Sequence, residues 1–148
     1  MRLIMKKLFS VILVELAALT FISCSKESRS DDADAFVGTY SVSVVEQVVW
    51  GAASATLTDT GTLMITKISS NRVQTSGYFR TQGEVVGKTV YFEAMHSSDS
   101  EGYLDDVFGP AKLSGNVITV TGNTTGQLKD NGKLYPYRRT SQITMIKQ

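Results

Sequence analysis

From Phe36 onward, apolar and polar residues alternate with a period of two. The run Phe36-Val37-Gly38-Thr39-Tyr40-Ser41-Val42-Ser43-Val44 sets Phe36, Tyr40, Val42 and Val44 on one face. Side chains of an extended chain point to opposite sides in turn. The pattern therefore predicts a strand with one buried and one wet face. Similar β-branched and aromatic segments lie at 55–58, 62–68, 72–80, 89–95, 111–113, 117–121, 124–129 and 134–146. Turn-like groups separate them: Asp59-Thr60-Gly61, Val86-Gly87-Lys88, Ser114-Gly115-Asn116 and Asp130-Asn131-Gly132. The last has the residues of a type I′ hairpin turn, which needs two positive φ angles. Pro136 predicts a bend in the final strand, because proline lacks the ladder donor. No segment after residue 24 carries a helical stripe of useful length; 101–107 comes nearest and is too short.

Short strands joined by short turns predict an all-β domain. The expected form is a single antiparallel up-and-down β-barrel, with a two-sheet β-sandwich as the alternative. In a closed sheet the first and last strands are neighbours. Phe36, Tyr40, Val42 and Val44 would then share a lumen with Tyr135, Tyr137, Ile143 and Met145. Gly38 and Tyr40 on the first strand, with Arg138 and Arg139 on the last, resemble the lipocalin-like (calycin) β-barrel family. There a Gly-x-Trp on the first strand closes one barrel end under a basic residue of the last strand. The resemblance implies that Tyr40, in place of the Trp, caps one end with Arg138 or Arg139 near its ring. The plainer alternative is an ordinary core aromatic and an exposed arginine face.

The start of the chain follows another logic. Arg2, Lys6 and Lys7 precede an apolar stretch over 8–23, interrupted by Glu15, and polar residues follow Cys24. A basic start, an apolar run and a small residue at the cut make an export signal. The run is short of the roughly 20 residues of a spanning helix. With Phe21-Ile22-Ser23-Cys24 it resembles a bacterial lipoprotein signal, with Phe21 where Leu is usual. The resemblance implies cleavage before Cys24, lipidation of Cys24, and a place in the bacterial cell envelope, the outer membrane first. The periplasmic or surface face stays open. The expected organisation is a signal peptide at 1–23, a lipidated flexible tether at 24–35 and a β-barrel domain at 36–148. The tether expectation rests on 25–34, where charged residues alternate with Ser and Ala and offer nothing large to bury.

Composition adds mainly exclusions. Lys and Arg number 15 against 14 Asp and Glu, so overall charge favours neither nucleic acid nor an anionic surface as partner. Cys24 is the only cysteine, so the domain has no internal disulfide and packing must hold it. One histidine, His96, and no domain thiol exclude a Cys nucleophile and a Cys/His zinc cluster. Neither a nucleophile elbow nor a phosphate loop occurs. A Ser–His–Asp arrangement could assemble only from distant residues, and His96 reads as part of a polar loop. Asp99, Glu101, Asp105 and Asp106 crowd into the same stretch, a solvated acidic loop or, less simply, a calcium loop without EF-hand spacing.

The candidate ligand contacts are Tyr40, Trp50, Tyr135, Tyr137 and Arg139. Tyr135, Tyr137 and Arg139 share one strand face, where rings and a guanidinium could stack a sugar or hold an anion. Cross-strand packing is the structural alternative. Trp50 stands beside the small residues Gly51, Ala52 and Ala53, where an exposed ring could bind. These readings predict a non-enzymatic, exported, lipid-anchored binding protein for a small apolar or amphipathic ligand, without cofactor or metal. Its expected partners are the membrane through its anchor and a small ligand or an envelope protein. The competing prediction is a protein- or glycan-interacting accessory lipoprotein with a filled core.

Overall fold

The computed structural model describes residues 32–148. The signal expected at 1–23, Cys24 and the tether as far as residue 31 lie outside the described residues. The domain begins earlier than the expected boundary at 36. Asp32–Ala35 forms a short 3-10 turn in which Ala33 is wholly buried. Small size makes this possible: Ala33 slips under the sheet and its N–H donates to the Ser70 carbonyl at 3.3 Å. The Asp34 carboxylate meets Lys67 Nζ at 2.9 Å.

Ten strands follow, and every pairing between them is antiparallel. They are β1 Gly38–Trp50, β2 Ala53–Ser69, β3 Arg72–Gly77, β4 Gln82–Val86 and β5 Thr89–Phe92. Then come β6 Met95–Asp99, β7 Gly102–Phe108, β8 Ala111–Ser114, β9 Val117–Asp130 and β10 Lys133–Lys147. Eight of them close a ring in the order β10-β1-β2-β3-β4-β5-β8-β9, with β9 returning to β10. First and last strands are neighbours, as a closed sheet requires: Tyr40 stands opposite Lys147, Val42 opposite Met145 and Val44 opposite Ile143. The β6–β7 hairpin leaves the ring after β5 and pairs with the upper half of β9.

The ring occupies only one end of the long strands. There the inward residues Tyr40, Val42, Val44, Leu63, Ile65, Val73, Val90, Ile118, Ile143 and Met145 form the core, and Phe36 plugs the end. Each fully buried aliphatic side chain of this kind is worth roughly 1.5–3 kcal/mol relative to exposure. Beyond Val44 and Ile143 the upper parts of β2, β1, β10, β9, β7 and β6 continue as an open sheet whose outer face is largely exposed and whose inner face is mostly half-buried.

One expected turn and one expected break between strands are strand interior instead. Asp59-Thr60-Gly61 lies within β2, and the strands expected at 62–68 and 55–58 are one. The small and acidic residues there serve a neighbour, not a turn: a Cβ on Gly61 would come within 2.6 Å of the Tyr78 ring. Likewise 117–121 and 124–129 are the single strand β9. Asp130-Asn131-Gly132 is the expected hairpin turn, with φ of +48° at Asn131 and +81° at Gly132. The stretch from His96 to Asp106, expected as a polar loop, is the β6–β7 hairpin.

Candidate functional site

A cleft of about 380 Å³ lies where the filled ring gives way to the open sheet. Its floor is apolar and its upper wall is charged. Phe79 and Phe108 stack at 5.2 Å between ring centroids, and Phe92 meets both edge-on at 5.7 and 6.0 Å. Val44 and Ile143 complete the base.

Local backbone chemistry puts Phe79 there. Gly77 ends β3 with φ of +100°, and a Cβ at that position would stand 2.5 Å from the Thr62 carbonyl oxygen. Only glycine fits this conformation and approach. The chain then doubles back over residues 78–81, held by buried Thr75 and Thr81. Thr75 N–H donates to the Thr81 carbonyl at 2.8 Å, Thr75 Oγ1 donates to the Phe79 carbonyl at 3.0 Å, and Thr81 N–H donates to Thr75 Oγ1 at 2.9 Å. This brace lays Tyr78 over Gly61 and turns Phe79 onto the floor. The Tyr78 hydroxyl donates to Asp59 Oδ2 at 2.9 Å. Burial and the Asp59 carboxylate push its pKa from 10 up to about 12.

The charged wall centres on Arg139 of β10. Its side chain, 30% exposed, reaches Asp106 Oδ1 at 3.1 Å and Glu46 Oε1 at 3.5 Å. Its Nε donates to Thr124 Oγ1 at 3.0 Å. Thr124 in turn donates to Asp106, and Ser141 Oγ donates to Glu46 Oε1 at 3.1 Å. These residues come from β1, β7, β9 and β10, and the register brings them together. Val48 lies opposite Arg139, Arg139 opposite Thr124, and Thr124 opposite Asp106, a single row across four strands. One row lower stand Glu46, Ser141, Gly122 and Phe108, on the same face. Among the described residues no buried side-chain polar atom lacks a partner. With Asp59 added, three carboxylates and one guanidinium line the cleft. It can therefore present hydrogen-bond acceptors and one cation above an apolar floor.

The residues expected to touch a ligand separate into three groups. Arg139 lines the cleft. Tyr40 does not: it is wholly buried, and its hydroxyl donates to the Phe36 carbonyl at 2.7 Å. No arginine lies over it, because Arg139 stands opposite Val48 and Arg138 opposite Val49, far up the strand. The basic residue at the Tyr40 end is Lys147, whose Nζ lies 3.5 Å from the Ala35 carbonyl. Trp50, Tyr135 and Tyr137 sit on the open sheet above the cleft, on the face that continues its charged wall. Trp50 stands opposite Tyr137. Trp50 is 39% exposed, and Lys133 Nζ lies 5.5 Å from the Tyr135 ring centroid.

The acidic stretch does not converge. Asp106 faces the cleft, Asp105 faces the other side and bonds His96 Nδ1 at 2.5 Å, and Asp99 accepts the Glu101 N–H at the hairpin tip. Strand alternation splits Asp105 from Asp106. Among the described residues no three His, Cys, Asp or Glu side chains are grouped to hold a metal ion. His96 and Asp105 lie away from the cleft, with the His96 ring near Tyr103 at 6.5 Å.

Glu46, Thr124 and the Phe79–Phe108 pair are site residues that the pattern alone did not single out; Asp59 was expected only in a turn and Asp106 only in an acidic loop. One signal was available: Glu46 and Asp106 are charges at positions where the apolar face of their strand continues. No family model, no curated protein and no solved structure matches this chain.

Proposed function

We propose that this is a non-catalytic binding protein, exported and lipid-anchored through Cys24, whose cleft takes a small amphipathic molecule. The apolar part would lie on Phe79 and Phe108. A polar head would face Arg139, Glu46 and Asp106. One observation carries the reading: the cleft joins a stacked aromatic floor to a mixed-charge wall where the filled ring gives way to the open sheet. Its volume, about 380 Å³, lies within the range of small-molecule sites. The anchor is carried by the sequence alone, through the basic start, the apolar run and Cys24.

The test uses the full chain carrying Cys24→Ser and the fluorescent amine N-phenyl-1-naphthylamine, a small apolar probe with one N–H donor. Saturable binding is expected. Phe108→Ala, which opens the floor, and Arg139→Met, which removes the cation at similar length, should each weaken it by about tenfold or more, a difference of about 1.4 kcal/mol. Arg138→Met, on the opposite face, should leave it unchanged. Equal binding by all four chains, or none by the parent, removes the cleft from this role.

A second reading, an accessory protein that binds a protein or glycan, is supported by exposed Trp50 and half-buried Tyr135 and Tyr137 standing together outside the cleft. Trp50→Ala and Tyr137→Ala would then abolish partner binding, and the two cleft variants would not.

A further inference from the structure

Among the described residues the upper part of β2 is an unpaired edge. Residues 53–61 pair with β1, and β3 begins to pair with β2 only at Leu63. All of 53–60 is exposed. Thr62 shows which way the backbone alternates. Its carbonyl accepts the Tyr78 N–H at 3.0 Å, on the side away from β1. Backbone groups of a strand alternate sides, so Ser54, Thr56, Thr58 and Thr60 turn theirs outward. The Thr60 N–H is already taken by Asp59 Oδ1 at 2.8 Å. Ser54, Thr56 and Thr58 remain with both groups unengaged by the sheet, a set symmetric about Thr56.

Exposed edges usually carry a lysine, a proline or a bulge that stops another strand from adding. This stretch, Ala-Ser-Ala-Thr-Leu-Thr-Asp-Thr-Gly, has neither lysine nor proline, and its register with β1 runs unbroken. The other edge of the open sheet, β6, is short and carries His96 and Asp99.

We propose that this edge pairs with the same edge of a second copy of the chain, antiparallel and two-fold symmetric about Thr56. Thr56 then faces Thr56, and Ser54 faces Thr58 in both directions. These pairs exchange about six backbone hydrogen bonds. A second copy is the occupant for three reasons. The unengaged set is its own mirror under a two-fold axis, as an isologous interface needs. The only charge in the stretch, Asp59, falls opposite Ala53 and meets no second carboxylate. Leu57, 50% exposed, falls opposite the small Ala55 on the same face. Thr–Thr and Ser–Thr cross-strand pairs line the other face, a favourable combination. The open sheets of the two copies become one continuous sheet, and Asp59, at the end of the paired stretch, is the one residue of that stretch that also lines the cleft.

Sedimentation velocity of the full chain carrying Cys24→Ser should give the mass of a dimer at micromolar concentration. Thr56→Pro removes a donor that points away from β1, so the sheet keeps its internal bonds. That variant should sediment as a monomer with an unchanged circular dichroism spectrum. Thr56→Cys in the same background should cross-link to a dimer under mild oxidation, since Cα atoms of a hydrogen-bonded pair stand about 5.5 Å apart. Thr60→Cys should not. A monomeric parent chain overturns the proposal. So does a dimer that survives Thr56→Pro, or cross-linking at position 60 in place of 56.

Discussion

Tyr78 shows how much one side chain can do once the fold has placed it. Its ring covers Gly61, its hydroxyl holds Asp59, and its edge meets Phe79 at 6.5 Å. Burial and the Asp59 carboxylate raise its pKa to about 12, and burial alone raises that of Tyr40 to about 12. Both groups therefore stay protonated in the folded protein over a range where the unfolded chain has lost those protons. The unfolded state then binds fewer protons, so stability falls as pH rises through this window. The expected outcome is a loss of stability that starts near pH 10 and is complete near pH 12, followed by tyrosinate absorbance and the urea midpoint together. Tyr78→Phe should flatten part of that slope. A slope that is the same with and without the Tyr78 hydroxyl would mean that neither burial nor the Asp59 carboxylate raises its pKa. Arg139 makes a different point at the same scale. Its position on the face of Tyr135 and Tyr137 was legible from alternation, but its partners Glu46, Asp106 and Thr124 were not. They lie on three other strands, and only register brings them within reach.

At the scale of elements, the connection between β3 and β4 decides the site. Gly77 permits a left-handed turn against the Thr62 carbonyl, and the threonine brace behind it sets both Tyr78 and Phe79. Gly77→Ala should cost about 2 kcal/mol or more, because the strained conformation and the collision act together and the obstacle is backbone. The urea midpoint should fall while the denaturant slope stays the same, as expected of a change in stability alone. Binding of the naphthylamine probe should weaken with it, since Phe79 would leave the floor. A chain as stable as the parent would show that this turn accommodates a side chain. Other elements were misjudged for a common reason. Glycine and aspartate in a β-rich chain signal a turn when only neighbours in sequence are considered. In β2 the same residues make room for a ring from the β3–β4 connection, and in β9 Gly122 lies beside Phe108.

At the scale of the whole molecule, two regimes share the same strands. The lower halves close a ring that fills itself, and the upper halves spread into a sheet with one exposed face, one half-buried face and an unguarded edge. The cleft exists because the change from one to the other falls at the row of Val44 and Ile143. Under the lipid-anchor reading, the wild-type chain should partition with membranes and its mature N-terminal peptide should begin at acylated Cys24. Cys24→Ser should shift the protein to the soluble fraction. If both chains associate with membranes equally and keep residues 1–23, a simple uncleaved anchor replaces lipidation.

Alternation and turn residues together made this chain legible as all-β and antiparallel; that its first and last strands are adjacent was expected only of a closed sheet, and the structure decided it. Burial favours apolar side chains at inward positions, and that preference is written locally, residue by residue, in Tyr40, Val42, Val44, Ile143 and Met145. The hairpin at Asn131 and Gly132 was legible for the same reason, since positive φ angles select their residues at the site itself. Tertiary structure decided the rest. Which strands extend beyond the ring, which charges meet Arg139, and where an aromatic floor forms all depend on strand offset and on one inward-folding connection. Those are relations between distant segments. A period-two pattern is unchanged when a strand slides by two residues, so it leaves the register undetermined, and the register is what builds the cleft.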